Sequence, residues 1–396
     1  MAQSGAPDHD EPVHIEKMAA GGDALGRLAD GRVVFVRGAL PGETVTVAIV
    51  SDKRDFATAT VRQVLAPSPD RVAPPCPALA RGCGGCGWQH AEPAAQLQWK
   101  ADVVADALRR TAKLPDAVVH LGGAVDPWAY RTSLRLAVAP DGRTGLRAAA
   151  SHRVVQLDAC LVAHPTLAAL LPQLRVRGAD EISLRVSGAT GEATAWATGR
   201  RVRFSGLGPH VRVGPRATLH EQVAGVSLRV SASSFFQSGP QAAELLVRTV
   251  RDACGDALAG LRGPLLDAYG GVGLFAATLG AEHSVVVESA ESSCADAVAN
   301  LGERATVVVS PFERWAPQPV ELAIADPARA GLGSEAVDVL AATGAARLVL
   351  VSCDPVSLAR DATLLAAHGY RHAGSTVLDL FPHTPHVEVV TRFDRA

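Results

Sequence analysis

The sequence contains no run of apolar residues that approaches the roughly 18 needed to span a bilayer. Its first twelve residues are polar and acidic and lack the pattern of a signal peptide. We therefore expect a cytoplasmic protein with no membrane partner. Aromatic residues are also scarce, at 4%. Because Ala, Val, Leu, Arg and Gly dominate, this scarcity indicates a genomic bias and says little about function.

A large charge imbalance is missing as well. The formal net charge is −2, so the chain has no overall positive field of the kind that marks many nucleic-acid-binding domains. A solvated surface explains a local arginine cluster as often as a phosphate-binding one does, so charge alone identifies no partner. One such cluster lies in a stretch without acidic residues and comprises Arg200, Arg201, Arg203, Arg212 and Arg216.

The length of the chain predicts more than one domain. A total of 396 residues is too many for one hydrophobic core, and 48% hydrophobic residues provide ample material to bury. Changes in the rhythm of apolar residues divide the chain into three predicted domains, over residues 1–66, 67–230 and 231–396.

The first domain has the pattern of a small antiparallel barrel. Short alternating runs at 33–36, 44–50 and 57–61 are separated by glycines and by the turn Leu40-Pro41-Gly42-Glu43. A glycine-rich opening followed by this turn resembles the TRAM domain, a small OB-like barrel that binds RNA. The resemblance implies an RNA-binding role for residues 1–66.

The second and third domains differ in their periodicity. Alternating runs at 134–138, 182–186 and 193–197 predict a β-rich central domain. After residue 233, strand patterns at 265–268, 284–287, 305–309, 321–325 and 347–351 alternate with helical stretches. This alternation predicts a Rossmann-like α/β domain with a mostly parallel, doubly wound sheet.

A glycine-rich loop follows the first strand of that sheet. Gly271 and Gly273 stand between the strand and a helix start, where backbone amides can approach a ligand. Glu288 ends the next strand, about 20 residues after Asp267, a position suited to ribose hydroxyls. Both a dinucleotide and S-adenosylmethionine could use this frame. Asp326, in an Asp-Pro pair at the end of the fourth strand, favours S-adenosylmethionine.

Cys353 is the most informative single residue. Four apolar residues lead directly into Ser-Cys-Asp-Pro, which places the thiol where a buried strand ends and a loop begins. Ligands bind at that edge of open α/β sheets, and thiolate is the most nucleophilic side chain near neutral pH. The alternative is a buried structural cysteine.

Together these pieces resemble the S-adenosylmethionine-dependent uridine-5 RNA methyltransferases, which form 5-methyluridine and have a class I methyltransferase sheet. The resemblance covers nearly the whole chain, up to the closing motif at 381–388. It implies that Cys353 is the nucleophile and Glu388 the general base. It also implies a set of cofactor-binding residues, Gln237, Tyr269, Gly271, Gly273, Glu288 and Asp326.

The resemblance also implies a chemistry and a substrate. Carbon 5 of uracil is a poor nucleophile until a thiolate adds to carbon 6, and a base must later remove the carbon-5 proton. The target base must leave its stack to reach such a site. We expect RNA as the substrate, with ribosomal RNA favoured over tRNA by analogy, and a monomeric protein.

Some positions depart from the family pattern. Asp354 stands where the family has Asn, and a neighbouring anion disfavours a thiolate at Cys353. Ala328 replaces the second proline of the Asp-Pro-Pro-Arg motif. Two alternatives therefore stay open: an RNA-binding protein that has lost catalysis on the same scaffold, and a cytosine-5 RNA methyltransferase.

Seven cysteines in a chain expected in the cytoplasm argue against disulfides. Cys254 and Cys294 fall on predicted helices and are expected to pack. Four cysteines suit a [4Fe–4S] cluster or zinc, and the family pattern favours the cluster. The expected metal ligands are Cys76, Cys83, Cys86 and Cys160.

Overall fold

The computed structural model describes residues 8–149 and 151–395. The first seven residues of the predicted first domain, and Ala396 at the end of the third, lie outside this part of the chain. The polar N-terminal segment 1–12, expected to lack a signal peptide, is therefore described only from residue 8. Within the described ranges, no helix is both long and apolar enough to cross a membrane.

The N-terminal strands close into a five-stranded barrel in the order β1-β2-β3-β5-β4. Alternate residues such as Val34, Val45 and Val47 point inward and are fully buried, as period-2 alternation predicts. The strands are β1 (Asp8–Met18), β2 (Ala24–Arg27), β3 (Val33–Arg37), β4 (Thr44–Asp52) and β5 (Phe56–Ala66).

A buried carboxylate ties the barrel to the segment that follows it. Glu43 is 0% exposed, and its Oε2 accepts a hydrogen bond of 2.8 Å from the Leu40 amide. Arg71 pairs with Oε1 at 2.5 Å. Burial would raise the pKa of Glu43, but the Arg71 contact and two backbone amides outweigh it and lower that pKa. The turn at 40–43 is therefore held by charge as well as by backbone geometry.

The connecting segment and the central region follow. A six-stranded sheet in the order β14-β12-β11-β7-β8-β9 buries one face, which includes Leu134, Leu136, Ile182 and Leu184, in its own core. The elements are α1 (Pro77–Ala80), α2 (Pro93–Arg110), β6 (Val119–Ala124), β7 (Ser133–Val138), β8 (Thr144–Arg147), β9 (Val154–Gln156), α3 (Pro165–Leu170), β10 (Arg175–Arg177), β11 (Glu181–Val186), β12 (Ala193–Trp196), β13 (Arg203–Ser205), β14 (Val211–Val213), β15 (Thr218–Val223) and β16 (Val226–Ser231).

The C-terminal region carries an eight-stranded sheet in the order β19-β18-β17-β20-β21-β23-β22-β6. Strands β17 to β21 run parallel, and β23 enters antiparallel beside β21. The elements are α4 (Pro240–Cys254), α5 (Asp256–Ala259), β17 (Leu265–Ala268), α6 (Leu274–Thr278), β18 (Ser284–Glu288), α7 (Glu291–Leu301), β19 (Ala305–Val309), β20 (Leu322–Ala325), α8 (Gly333–Ala342), β21 (Arg347–Ser352), α9 (Pro355–Ala367), β22 (Tyr370–Asp379) and β23 (Glu388–Arg395).

The C-terminal sheet recruits a segment from the range predicted for the central domain. Strand β6 pairs in parallel with β22, and α2 packs against α9 and β22. The apolar side chains Val104 and Leu108 of α2 join the core beneath this sheet, which explains its position. Strand β6 contains two glycines and none of its six residues is buried, so its pattern did not indicate which sheet it joins.

Candidate active site

Strand register brings the predicted catalytic residues to one edge of the sheet. Strands β17, β20 and β21 are neighbours whose carboxyl ends coincide, and Asp326 and Cys353 directly follow the last two. Val389 of β23 pairs with Ser352, the residue before Cys353. Because the strands are antiparallel, Glu388, the residue before Val389, begins β23 at the level of the thiol. Residues separated by 27 to 62 positions in the chain are therefore close together in the fold.

The Cys353 thiol is half-buried and opens into a cavity of about 180 Å3. Burial raises the pKa of Cys353 to about 11, and the nearby carboxylates of Glu388 and Asp326 add to the increase. Arg329 opposes it. The cavity is also lined by Lys100 of α2 and by the barrel loop 19–21. The barrel and the C-terminal sheet thus both contribute walls to the space around the thiol.

Asp354 does not act on the thiol as the sequence suggested. Its side chain caps α9, and Oδ1 accepts hydrogen bonds of 3.0 Å from Val356 N and 2.8 Å from Ser357 N. Asp and Asn are both preferred at this position of a helix. The carboxylates that raise the pKa of Cys353 are instead Glu388 and Asp326. The Asn-to-Asp departure therefore preserves a capping role.

Glu388 is buried, with 6% of its surface exposed. Burial raises its pKa well above the ordinary value, Asp326 contributes in the same direction, and Arg329 opposes both. Burial and the charge of Asp267 raise the pKa of Asp326 to about 7. A carboxyl group whose pKa is moved towards neutrality can both accept and release a proton, as general base catalysis requires.

The glycine-rich loop has the conformation of a ligand-binding turn. Gly271 and Gly273 have φ values of 56° and 84°. A Cβ at position 273 would lie 2.8 Å from the Leu301 side chain, so only glycine fits there. Tyr269 also has a positive φ, of 59°, and its hydroxyl donates a 2.6 Å hydrogen bond to Glu313.

Two carboxylates flank this loop. Asp267 is fully buried; its Oδ2 accepts a 3.0 Å hydrogen bond from Ala276 N, whereas Oδ1 has no partner among the described residues. Glu288 Oε2 accepts from Gly271 N at 3.0 Å, and Oε1 accepts from Ala290 N at 2.7 Å. Rigid loop amides, fixed carboxylates and an unsatisfied buried acceptor fit a cofactor rich in hydroxyl and amino groups.

Gln237 lies in the segment between β16 and α4 and is 7% exposed. The next residue, Ser238, donates from Oγ to the Leu380 carbonyl at 3.1 Å. Tyr130 donates from its hydroxyl to the Pro382 carbonyl at 3.2 Å. The Ser238 contact holds the segment of Gln237 beside the turn at 380–387 that leads to Glu388, and the Tyr130 contact fixes the same turn.

The four cysteines predicted as metal ligands all line one small pocket between α1 and the central sheet. Each is a free thiol, and burial raises the pKa of Cys86 to about 12. Within the described ranges, no three His, Cys, Asp or Glu side chains converge on a point that could hold one metal ion. Cys254 and Cys294 are buried in α4 and α7, where they pack.

Sequence reasoning missed three contributors to this site. Arg329 follows the Asp-Pro pair by two residues and could have been found from that motif. Lys100 and Trp88, which line the same cavity as the thiol, carry no comparable signal. They lie more than 250 residues before Cys353. The packing of α2 on the sheet places Lys100 there, and a 2.9 Å backbone hydrogen bond to the His383 carbonyl holds Trp88.

This chain is similar to known proteins both in its N-terminal barrel and over nearly its whole length. The TRAM domain family matches residues 11–61. A Streptomyces avermitilis protein named as an RNA methyltransferase is 34% identical, covering 97% of this chain and 98% of its own. The 23S rRNA (uracil(1939)-C(5))-methyltransferase RlmD of Methylococcus capsulatus is 32% identical, covering 97% of each.

A solved structure shares the fold. The Pyrococcus abyssi tRNA (uracil-54, C5)-methyltransferase, in complex with S-adenosyl-L-homocysteine, has a TM-score of 0.71 over 96% of this chain and 99% of its own, at 23% identity. The predicted combination of a TRAM barrel with a methyltransferase sheet is confirmed. The chain belongs to the S-adenosylmethionine-dependent uridine-5 RNA methyltransferase family.

Proposed function

We propose that this protein transfers a methyl group from S-adenosylmethionine to carbon 5 of a uridine in RNA through a covalent adduct at Cys353. The observation that carries the proposal is the placement of Cys353 and Glu388 together at the sheet edge that also holds the glycine-rich loop. The reaction needs a nucleophile and a base at the same pyrimidine ring, and this placement provides both.

Each residue has a defined task in this chemistry. The Cys353 thiolate adds to carbon 6 of the uracil, which makes carbon 5 nucleophilic. S-adenosylmethionine, when bound, supplies an electrophilic methyl group to that carbon. Glu388 then takes the carbon-5 proton, the bond from sulfur to carbon 6 breaks, and the thiolate is restored. Arg329, which lowers the pKa of both groups, favours their ionised forms.

The cofactor would be held by the residues of the glycine-rich loop and its flanks. Glu288 at the end of β18 is suited to the ribose hydroxyls, and Gly271 and Gly273 allow close approach of the backbone. Asp326, whose charge contributes to the raised pKa of Cys353, is suited to the end of the cofactor that carries the methyl group. Gln237 and Tyr269 complete the proposed binding set.

We also propose ribosomal RNA as the substrate. The relative named as a 23S rRNA methyltransferase aligns with this chain over almost its whole length, including the barrel and the cysteine segment. A base that enters the cavity beside Cys353 must first leave its stack, which favours loops or refolded RNA over regular duplex.

For the cysteine pocket we propose a [4Fe–4S] cluster ligated by Cys76, Cys83, Cys86 and Cys160. Four thiols around one pocket are the donor set for such a cluster. The same four thiols could instead hold a zinc ion, and the choice of the cluster rests on the resemblance to the family pattern. Trp88, two residues after Cys86, donates from its backbone to the His383 carbonyl at 2.9 Å, so the cluster would support the turn before Glu388.

The test compares total RNA from cells with and without the gene by mapping 5-methyluridine. The proposal predicts one or a few ribosomal positions that lose the methyl group and regain it when purified protein and S-adenosylmethionine are added. Complementation with the Cys353→Ala variant should fail. An unchanged 5-methyluridine map would contradict the proposed activity, and 5-methylcytidine as the product would favour the cytosine-5 alternative.

A further inference from the structure

A groove of about 580 Å3 lies on the central sheet and shares no lining residue with the cavity beside Cys353. Its floor is the face of β7, β11 and β12 opposite to the buried face, and its rim includes Phe235. This volume is in the range of ordinary ligand-binding sites. The proposed function leaves this groove without a role.

The register of the three strands arranges the floor in two rows. In the first row Ser183 lies between Arg135 and Trp196. In the second row Arg185 lies between Ser133 and Thr194. Guanidinium groups, hydroxyls and an indole therefore lie on one sheet face. The Arg185 guanidinium donates to the Ser231 and Ser234 carbonyls at 3.3 and 3.0 Å, which leaves Arg135 as the arginine of these rows that faces the groove. Sheets that bind single-stranded nucleic acids combine these side-chain types, with aromatic rings for bases and arginine for phosphates.

Two further features separate this groove from an ordinary solvated sheet face. Thr194 is 2% exposed, and its hydroxyl has no hydrogen-bond partner among the described residues. Buried hydroxyls are normally paired, with a water or a ligand group where no protein atom is in reach. Phe235 is 70% exposed, in a chain with only 4% aromatic residues. Its ring is therefore available for stacking.

The charges around the groove favour an anionic ligand. Glu181 accepts hydrogen bonds from Arg135 at 2.8 Å and from Arg147 at 2.9 Å, which orients both guanidinium groups at the rim. Asp180 is the other acidic residue of the lining. Beyond Thr198, at one end of the groove, the chain continues into three exposed arginines, which we name the basic segment: Arg200, Arg201 and Arg203.

The groove also adjoins the proposed catalytic turn. Phe235 stands at its rim, and Ser238, three residues later, contacts the Leu380 carbonyl at 3.1 Å. Three residues span at most about 10 Å. Ser231 and Ser234, near the same end, both donate to the buried carboxylate of Asp296 in α7, which fixes the groove relative to the C-terminal sheet.

We propose that this groove binds an unpaired stretch of the substrate RNA close to the target uridine, a role that rests on the proposed function. Trp196 and Phe235 stack on bases. Arg135 and Arg147 contact phosphates, and the basic segment continues that contact beyond the groove. The groove thereby selects RNA in which the target uridine lies beside a single-stranded segment.

Binding is measured separately from methyl transfer, with the full-length protein and a dye-labelled single-stranded RNA of about 12 nucleotides. Trp196→Ala should weaken binding by about fivefold or more, as loss of one stacked base does. Trp196→Phe keeps a ring and should restore most of the affinity. Arg135→Ala should also weaken binding, whereas Arg304→Ala, an exposed arginine beside the outer strand β19, is the matched control. Thermal unfolding shows that each variant is folded.

Crosslinking adds a readout that a purely structural role would not change. Ultraviolet crosslinks of 4-thiouridine RNA should map to the peptides of Trp196 and Phe235, and the Trp196→Ala variant should show a raised KM for RNA with an unchanged kcat. Equal affinities for all four variants, or crosslinks confined to other surfaces, would overturn the proposal. Since binding needs no cofactor, a wild-type protein that binds RNA through the groove but transfers no methyl group would contradict only the proposed reaction.

Discussion

Lys100 and Asp379 form an ion pair of 2.6 Å between side chains that are each 1% exposed. The pair joins α2 to the end of β22, directly before the turn that leads to Glu388. Asp379 Oδ1 also accepts from Phe381 N at 3.1 Å, and Lys100 donates to the Phe381 carbonyl at 3.3 Å. A buried pair far apart in sequence thus fixes the first residues of the turn that positions the proposed base.

Removal of one partner should destabilise the protein strongly. Lys100→Met leaves the Asp379 carboxylate buried without its cation, and we expect a loss of about 3–5 kcal/mol in the free energy of unfolding, measured in urea. Adding Asp379→Leu should recover part of that loss, because the uncompensated charge is removed as well. A single variant within about 1 kcal/mol of wild type would contradict the account of this pair.

The reactivity of Cys353 should depend on its two charged neighbours in opposite directions. Since its pKa is raised to about 11, alkylation by iodoacetamide in cofactor-free protein should accelerate steadily from neutral to alkaline pH. Arg329→Ala removes a favourable charge and should slow the reaction at a given pH. Glu388→Gln removes an unfavourable one and should accelerate it. Peptide mass spectrometry follows position 353 alone, and identical rates in all three proteins would contradict the electrostatic assignment.

Glu43 should contribute to the stability of the barrel, and this contribution should be lost in acid. Its pKa in the folded protein lies below the ordinary value of 4.5, so the ionised carboxylate stabilises the fold above that value and the stabilisation is lost as the pH falls below it. Glu43→Gln should cost about 1–3 kcal/mol at pH 7. The difference from wild type should shrink under acid conditions. Glu11→Gln, at an exposed position of β1, is the control, and a pH-independent difference would contradict the assignment.

The cysteine pocket gives a prediction that does not depend on activity. Protein purified without oxygen should contain about four iron and four sulfide ions per chain. Cys83→Ser should lose both, whereas Cys254→Ser, at a buried position of α4, should keep them if the fold is intact. Stoichiometric zinc in place of iron would contradict the proposed cluster and favour the alternative.

Periodicity predicted the C-terminal sheet well. The strands at 265–268 and 305–309 have the predicted bounds. The first is fully buried and the second is the outer strand, yet both are short, mostly apolar runs in a regular alternation with helices. Strand β6 is different, since two glycines interrupt a weak pattern and its partner β22 lies about 250 residues later. No local signal could assign it to the C-terminal sheet.

Sequence motifs predicted the residues of the proposed site, whereas the charged groups that act on those residues could be identified only from the fold. Motifs indicated Cys353 and Glu388, but only the register of β21 and β23 places them together. Asp354 was expected to hinder the thiol because it is adjacent in sequence, yet its carboxylate is directed to the amides of α9. Proximity in the chain is a poor guide to electrostatic effect when the second group caps the helix that follows.

The most direct test of the covalent mechanism uses RNA that carries 5-fluorouridine at the target position. Fluorine replaces the proton that Glu388 would remove, so the adduct cannot eliminate and accumulates. We predict a denaturation-resistant protein–RNA complex that requires S-adenosylmethionine and maps by mass spectrometry to Cys353. The mechanism would be contradicted by an adduct at another residue, by an adduct that persists in Cys353→Ala, or by its absence from protein that methylates the unmodified RNA.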